Sequence, residues 1–275
     1  MLKDLGWFIL KDNFIVNLIY FLIYKIRIEN KIFNKVDTNP SQVFFAHLAY
    51  QTFDFNNETS KNFVMKNSFE FNKSKGICFS AYTSGTSNTP LLLFRSISSV
   101  MFDELSLRSH WYSVGVGFNP KIATLRGDNL FPGAHDGPDF WKHMPFTNRL
   151  VMSTFHLNKH TALSYLNELS KHKPDIILAY PNSIITLSKF AKSLNWSPKW
   201  NLKGVFTSGE TFSLEQQALV KEIFRNVYDH YGQAERVCRL QQCRQGNYHF
   251  VDWYSKIELV EDKPGFKRIV GTNFR

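Results

Sequence analysis

The sequence predicts an α/β protein: a mostly parallel sheet flanked by helices, with a second β region near the end. Two observations carry this. From Lys75 onward, short β-rich runs alternate with amphipathic helical segments, and this alternation builds parallel sheets through helical crossovers. Two longer β segments then close the chain.

In chain order, Gly76–Phe79 reads as an apolar strand and Ser98–Tyr112 as a helix. Lys121–Leu125 and Arg149–Phe155 read as strands, and Asn158–His172 as a helix with Asn158 as its N-cap. Asp175–Ala179 is a strand running into Pro181. Ser183–Leu194 places Ile184, Ile185, Leu187, Phe190, Ala191 and Leu194 on one helical stripe. Gly204–Thr207 is a strand. Ser213–Arg225 is a helix whose Ser213 and Gln216 have capping-box spacing. Asn226–His230, Tyr248–Val260 and Phe266–Phe274 complete the β elements.

Residues 1–74 form a helical lead-in to the 75–275 core. Their main feature is the apolar run Phe14–Tyr24, interrupted by Asn17 and ended by Lys25 and Arg27. As a helix it spans roughly 16 Å, about half a bilayer core. It fits a buried helix, or shallow docking on the inner face of a membrane. No small-residue cleavage site follows, which argues against a secretory signal.

The chain has 275 residues, 43% hydrophobic and 20% charged, which is globular composition. Its net charge of +10 favours anionic partners. The Lys and Arg residues are scattered, without the basic stripe and interleaved aromatics of a nucleic-acid binder. Cys78, Cys238 and Cys243 make no disulfide framework in a chain of this size, which fits a reducing cytoplasm.

Three polar segments follow strands, where ligands of parallel sheets bind. The first, Ser80–Leu93, packs Tyr82, Thr83, Ser84, Gly85, Thr86, Ser87, Asn88 and Thr89 into one loop. Its hydroxyls and glycine can surround a polyphosphate with donors, and the same composition suits an ordinary surface turn. It lacks the second glycine and the lysine of a Walker loop. The others are Thr207-Ser208-Gly209-Glu210 and Tyr228–Glu235. Each puts a glycine and a glutamate just beyond a strand: the small turn admits a planar base, and the carboxylate can hold Mg²⁺.

In this order the segments resemble the adenylate-forming, acyl-CoA synthetase-like superfamily. The nearest branch is similar to the phenylacetate–CoA ligase relatives of capsular polysaccharide biosynthesis. Tyr82–Pro90, Ser208–Glu210, Tyr231–Glu235 and Cys243–His249 carry the likeness, with Lys173-Pro174-Asp175 and Ala179–Ser183 between them. It implies the large N-terminal domain of such an enzyme, covering about Lys75 to Arg275. Thr83, Ser84, Gly85, Thr86 and Ser87 would embrace the ATP phosphates, with Thr86 and Glu235 central to catalysis. Gly209 and Glu210 would border the adenine, Tyr231 would stack on it, Gly232 would allow its approach, and Glu235 would ligate Mg²⁺. A carboxylate would attack the α-phosphorus, giving an acyl-adenylate for a thiol, amine or hydroxyl acceptor.

Three departures stand out. Asn88-Thr89-Pro90 replaces Gly-Lys-Pro, so a positive charge is missing that Arg95 or Arg126 would have to supply. Ala234 stands where Ser or Thr offers a hydroxyl, a hydrogen bond worth about 1.5–3 kcal/mol to a charged group. Last, the sequence stops at Arg275, before the acidic residue and the mobile lysine-bearing lid domain that the likeness leads one to expect. Adenylation by these 275 residues alone is therefore expected to be inefficient.

Cys238, Cys243 and His249 have the spacing C-x₄-C-x₅-H. Thiolate and imidazole suit tetrahedral Zn²⁺, but the spacing is not that of common zinc modules. The resemblance implies that Cys243 and His249 ligate a structural zinc with a later cysteine pair. His135-Asp136 reads as a solvated loop, and His156 and His160 as flanking a helix start.

Overall fold

The computed structural model describes residues 12–28, 43–49, 65–66, 78–83, 90–127, 130 and 140–272. The elements are α1 (Phe14–Ile23), which continues as a π-turn over Tyr24–Ile28, β1 (Val43–Ala49), β2 (Cys78–Tyr82), β3 (Leu92–Ser96) and α2 (Ile97–Ser113). There follow β4 (Ile122–Leu125), β5 (Trp141–His143), β6 (Arg149–Met152), α3 (Ala162–His172), β7 (Ile176–Ala179), α4 (Pro181–Ser193), β8 (Gly204–Ser208) and α5 (Leu214–Phe224). The last are β9 (Val227–Gly232), β10 (Arg239–Gln242), β11 (Tyr248–Phe250), β12 (Lys256–Lys263) and β13 (Phe266–Thr272).

The chain divides into two compact units, residues 1–30 with 109–229, and 31–108 with 230–275. The class is mixed α/β, as expected: a large, mostly parallel sheet flanked by helices, with additional antiparallel pairings.

In the first unit the strands lie in the order β5-β6-β4-β7-β8-β9. β4 pairs in parallel with β6 and β7, and β7 with β8, while the edge strand β5 is antiparallel to β6. β4, β6 and β7 are buried at every position, so they read as largely apolar runs without alternation, Thr124 and Arg149 being their polar members. Tyr165, Leu166 and Leu169 of α3, Ile184 and Leu187 of α4 and Val220 and Phe224 of α5 close over Leu125, Leu150, Ile177 and Val205. On the other side of β8, His110 and Trp111 meet Phe206 edge-on at 5.1 and 6.2 Å, and Phe206 lies 5.1 Å from Tyr228. Gly204 is needed here: a Cβ would sit 2.7 Å from the Tyr228 ring.

α1 belongs to this unit and packs in an unusual sense. Its inward face carries Asn17, whose side-chain amide donates to the Asp12 carbonyl at 3.0 Å and to Asn119 Oδ1 at 3.3 Å. Phe21 and Tyr24 add ring contacts to Tyr112, at 5.3 and 5.1 Å. Asp12 forms a buried ion pair with Arg149 at 2.7 Å, and Arg149 also donates to Thr124 Oγ1 at 2.7 Å. The residue that interrupts the apolar run is thus the one that fastens the helix.

Where α3 ends, His172 bonds the Ile122 carbonyl at 3.2 Å and its ring lies 5.4 Å from that of His143, which is paired with Glu168 at 2.9 Å. Burial, and then the charge of His143, hold the His172 pKa below its ordinary 6.5. The unfolded chain therefore takes up this proton first as pH falls. The His172 contribution to stability is complete above about pH 6.5 and shrinks as pH drops below it. Denaturant unfolding across this range should show that loss, and His172→Gln should flatten it.

In the second unit, β1-β13-β12 form a three-stranded sheet, parallel between β1 and β13 and antiparallel between β13 and β12. β2 and β3 make an antiparallel hairpin, while His230–Gly232, β10 and β11 pair antiparallel. Gly271 of β13 lies against the main chain of Val237, where a Cβ would come within 2.5 Å of the carbonyl oxygen.

Several boundaries differ from the sequence expectation. Asn158 does not cap α3; its Oδ1 accepts from His160 and Thr161 N–H in a preceding turn, and the helix starts at Ala162. Ser213 and Gln216 form the expected capping box. Tyr248–Val260 is broken by a turn closed by the Tyr254 N–H to Val251 carbonyl bond, 2.8 Å.

Candidate functional site

In the first unit the chain passes from β4 to β6 on one side, then returns to β7 on the other. That reversal makes the carboxyl ends of β4 and β7 a topological switch point, the usual ligand position in parallel sheets. Three turns lie there. Gly127 after β4 has φ +73°, and a Cβ there would lie 3.8 Å from Tyr180 Cε2 and 3.6 Å from Thr154 Oγ1. Gly209 after β8 has φ +83°, and a Cβ would be 3.2 Å from Tyr180 Cε1. The Tyr180 ring thus stands between two glycine backbones, both left-handed, a conformation that disfavours other residues. Tyr180 itself leads directly into α4 with Pro181 at its first turn.

Glu210 has a specific partner. Its Oε2 accepts from the Asn182 N–H at 2.9 Å, at the start of α4. Tyr180 makes no side-chain cap, so the carboxylate from the neighbouring strand end takes an orphan N–H and complements the helix dipole. Below it, Thr207 Oγ1 donates to Asp229 at 2.5 Å between β8 and β9.

The other expected residues belong to the second unit. Thr83 ends β2; its N–H donates to the Leu91 carbonyl at 3.1 Å and its Oγ1 accepts from the Leu91 N–H at 2.9 Å, closing the hairpin. Ser84, Gly85, Thr86 and Ser87 lie outside the described residues, as do His135 and Asp136. Tyr231 is half-buried on β9, packs against Cys238, Leu240 and Ile269, and accepts from Gln233 Nε2 at 3.0 Å. Gly232 has only an ordinary approach at its missing Cβ, 3.8 Å from the Cys238 carbonyl. Gly232 is therefore not demanded by local packing.

Glu235 sits half-buried in the turn after β9. Two contacts bring this turn to the hairpin. Arg95 Nη2, on β3, donates to the Ala234 carbonyl at 2.8 Å, and Ala234 packs against Leu91 and Leu93. Ala234 thus offers apolar contact where a hydroxyl was expected. Burial and then Arg236 disfavour the Arg95 charge, while Asp103, Glu235 and Tyr254 favour it. Asp103 gathers the same neighbourhood: it pairs with Arg239 at 2.5 Å and Arg236 at 3.5 Å, and accepts from Tyr254 Oη at 2.9 Å. Sequence reasoning picked out Tyr180 and Asn182 only within the Ala179–Ser183 likeness and gave them no role, and it missed Asp103, because no local pattern marks their partners.

The zinc expectation gains little. Cys238 is enclosed and bonded to Gln233 Nε2 at 3.0 Å, and burial pushes its thiol up to about 12. Cys243 opens the β10–β11 turn, bonding the Asn247 carbonyl through its N–H at 2.8 Å. Among the described residues no group of three or more His, Cys, Asp or Glu side chains is placed to hold a metal, whereas a structural zinc takes four donors.

The fold and these turns define a class, an α/β protein with glycine turns at the carboxyl ends of its parallel strands. No protein-family model matches the chain, and no curated protein does. Solved structures share its architecture loosely. One is an open conformation of 2-hydroxyisobutyryl-CoA ligase with 2-HIB-AMP and CoA, 14% identical, TM-score 0.47, covering 73% of this chain and 49% of its own. Another is the anthranilate CoA ligase AuaEII with anthranoyl-AMP, 16% identical, TM-score 0.44, covering 71% and 36%. A third is the N-terminal domain of FACL13 from Mycobacterium tuberculosis, 14% identical, TM-score 0.43, covering 69% and 46%. The chain spans less than half the length of each. Likeness at this level carries no chemistry over to these residues.

Proposed function

We propose that this chain activates a small carboxylate with ATP to an acyl-adenylate, for transfer to CoA, an amine or a sugar hydroxyl, in capsular or surface polysaccharide assembly. In this reading residues 75–275 are the ATP-binding core and 1–74 lead into it, in the cytoplasm. The observation that carries it is the meeting of the hydroxyl-loop hairpin with the Tyr231–Glu235 turn, through Arg95 and the Ala234 carbonyl. Two segments picked out for phosphate and metal chemistry are thereby neighbours, although some 140 residues apart in sequence.

A carboxylate oxygen of the substrate forms a bond to the α-phosphorus while the bond to the bridging oxygen of pyrophosphate breaks. No protein nucleophile is needed; positioning and charge neutralisation carry the rate. Thr83 to Ser87 donate to phosphate oxygens, Arg95 supplies the positive charge absent from the loop, and Gly209 leaves the adenine edge open. Tyr231 offers one ring face, and Gly232 leaves room for the base. Glu235 would hold Mg²⁺, an ion that keeps waters and phosphate oxygens as its other ligands and neutralises phosphate charge.

A second reading, a nucleotide-binding remnant without turnover, has its own support in the apolar seat of Ala234. Pyrophosphate exchange with a panel of carboxylates, together with calorimetric titration by Mg·ATP, separates the two. Exchange supports the ligase; binding without exchange supports the remnant; neither activity rejects both. Glu235→Ala should lose Mg²⁺-dependent binding. The same proposal makes Cys243 and His249 two of four zinc donors. Metal analysis of the purified chain should then find one equivalent, and zinc far below that removes the site.

A further inference from the structure

We infer that the amino edge of the parallel sheet, with α1 laid along it, is a surface that docks on an anionic phospholipid bilayer. α1 is inside out. Its protein-facing side carries Asn17, Tyr20 and Tyr24, while Ile15, Ile19, Leu22 and Ile26 face solvent, with Ile15 68% and Ile26 75% exposed. Spacings of four, three and four residues put these on one stripe. Burying such side chains gives the free energy that holds in-plane helices at a lipid interface.

A second apolar group belongs to the same edge. α1 is tied to Asn119, just before β4, and to Arg149, the first residue of β6. Asn148 donates to the Asn119 carbonyl at 3.4 Å. Two residues earlier, Phe146 is 84% exposed and held at φ +61°. An exposed phenylalanine ring gains free energy when an apolar surface covers it.

Charge decides the occupant. From Asn13 to Ile28 there is no acidic residue, and Lys25 and Arg27 end the stripe. Lys121 and Lys173 are exposed, and Lys203 is half-buried, just ahead of β4, β7 and β8, which start at this same edge. Among the described residues, Asp12 pairs with Arg149, Glu168 with His143 and Lys171, and Asp175 accepts from the Lys121 N–H at 2.8 Å. An isologous second copy would set this positive edge against itself, which is repulsive. Anionic headgroups complement it. α1, at 10 residues, lies far short of the roughly 20 that span a bilayer, so the contact is in-plane. The glycine turns at the opposite, carboxyl edge are left facing away from the lipid.

Co-sedimentation of the full chain with vesicles of phosphatidylcholine, alone or mixed with phosphatidylglycerol, tests this. Binding should be confined to the anionic vesicles and weaken with salt. The variant Ile15→Ser/Ile19→Ser/Leu22→Ser changes only outward side chains and should bind about tenfold more weakly or less, with an unchanged unfolding midpoint. Lys25→Glu/Lys173→Glu and Phe146→Ser should each weaken binding. The inference is overturned if the chain ignores anionic vesicles, or if all three variants bind like the parent. A dimer that the serine variant dissociates, with no lipid binding, overturns it too. Pyrophosphate exchange plays no part in the readout, so this inference and the proposed activity stand or fall separately.

Discussion

Arg149→Met should destabilise the protein by about 3–5 kcal/mol, the cost of stranding a buried carboxylate. Arg149 and Asp12 are 5% and 3% exposed and bonded at 2.7 Å, and the guanidinium also donates to the Thr124 hydroxyl. Removing only the cation leaves Asp12 charged in a place water does not reach. The double variant Asp12→Asn/Arg149→Met should recover much of the loss, since the pair also carries its desolvation cost. Urea unfolding measures both. A loss below about 1 kcal/mol would mean that Asp12 is effectively solvated and that α1 is only loosely seated.

Arg95→Ala should weaken Mg·ATP binding about 10- to 100-fold, the range for deleting a hydrogen bond to a charged group. Arg95 connects the hydroxyl-loop hairpin to the Ala234 carbonyl, so two effects must be told apart. If the charge matters to phosphate, Arg95→Lys should retain part of the affinity and restore salt sensitivity. If Arg95 only fastens the turn, Arg95→Lys and Arg95→Ala should lower the unfolding midpoint while affinity for ATP stays at the parental level. That outcome would remove Arg95 from the phosphate site.

Much of the sheet was legible because β4, β6 and β7 are short runs between polar turns, apolar except for Thr124 and Arg149. The capping box at Ser213 was equally plain, being written in local sequence. β10 was not, because its buried letters are polar: Arg239, Gln241 and Gln242 bond to Asp103, Ser106 and Gly246. Hydropathy cannot anticipate a partner distant in the chain. β5 is a three-residue edge strand, below the length that periodicity can detect. β1 depends on parallel pairing with β13, more than 200 residues away.

The site shows the same division. Glycine turns after strands mark where a ligand can approach, and Gly209 was visible for that reason. The contact between Gly209 and Tyr180 was not, nor was the use of Glu210 to complete the start of α4. Asn17 read as a flaw in an apolar run and is instead its polar anchor.

The close approach of Gly271 to the Val237 carbonyl also bears on how β13 finds its place. Slipping β13 by one residue would bring Val270 or Thr272 to that point, and either side chain would collide with main chain. Such a slip would also turn every side chain of the strand to the other face. A missing methyl group therefore acts as an alignment key, admitting one threading of the strand between β1 and β12 and rejecting its nearest competitors.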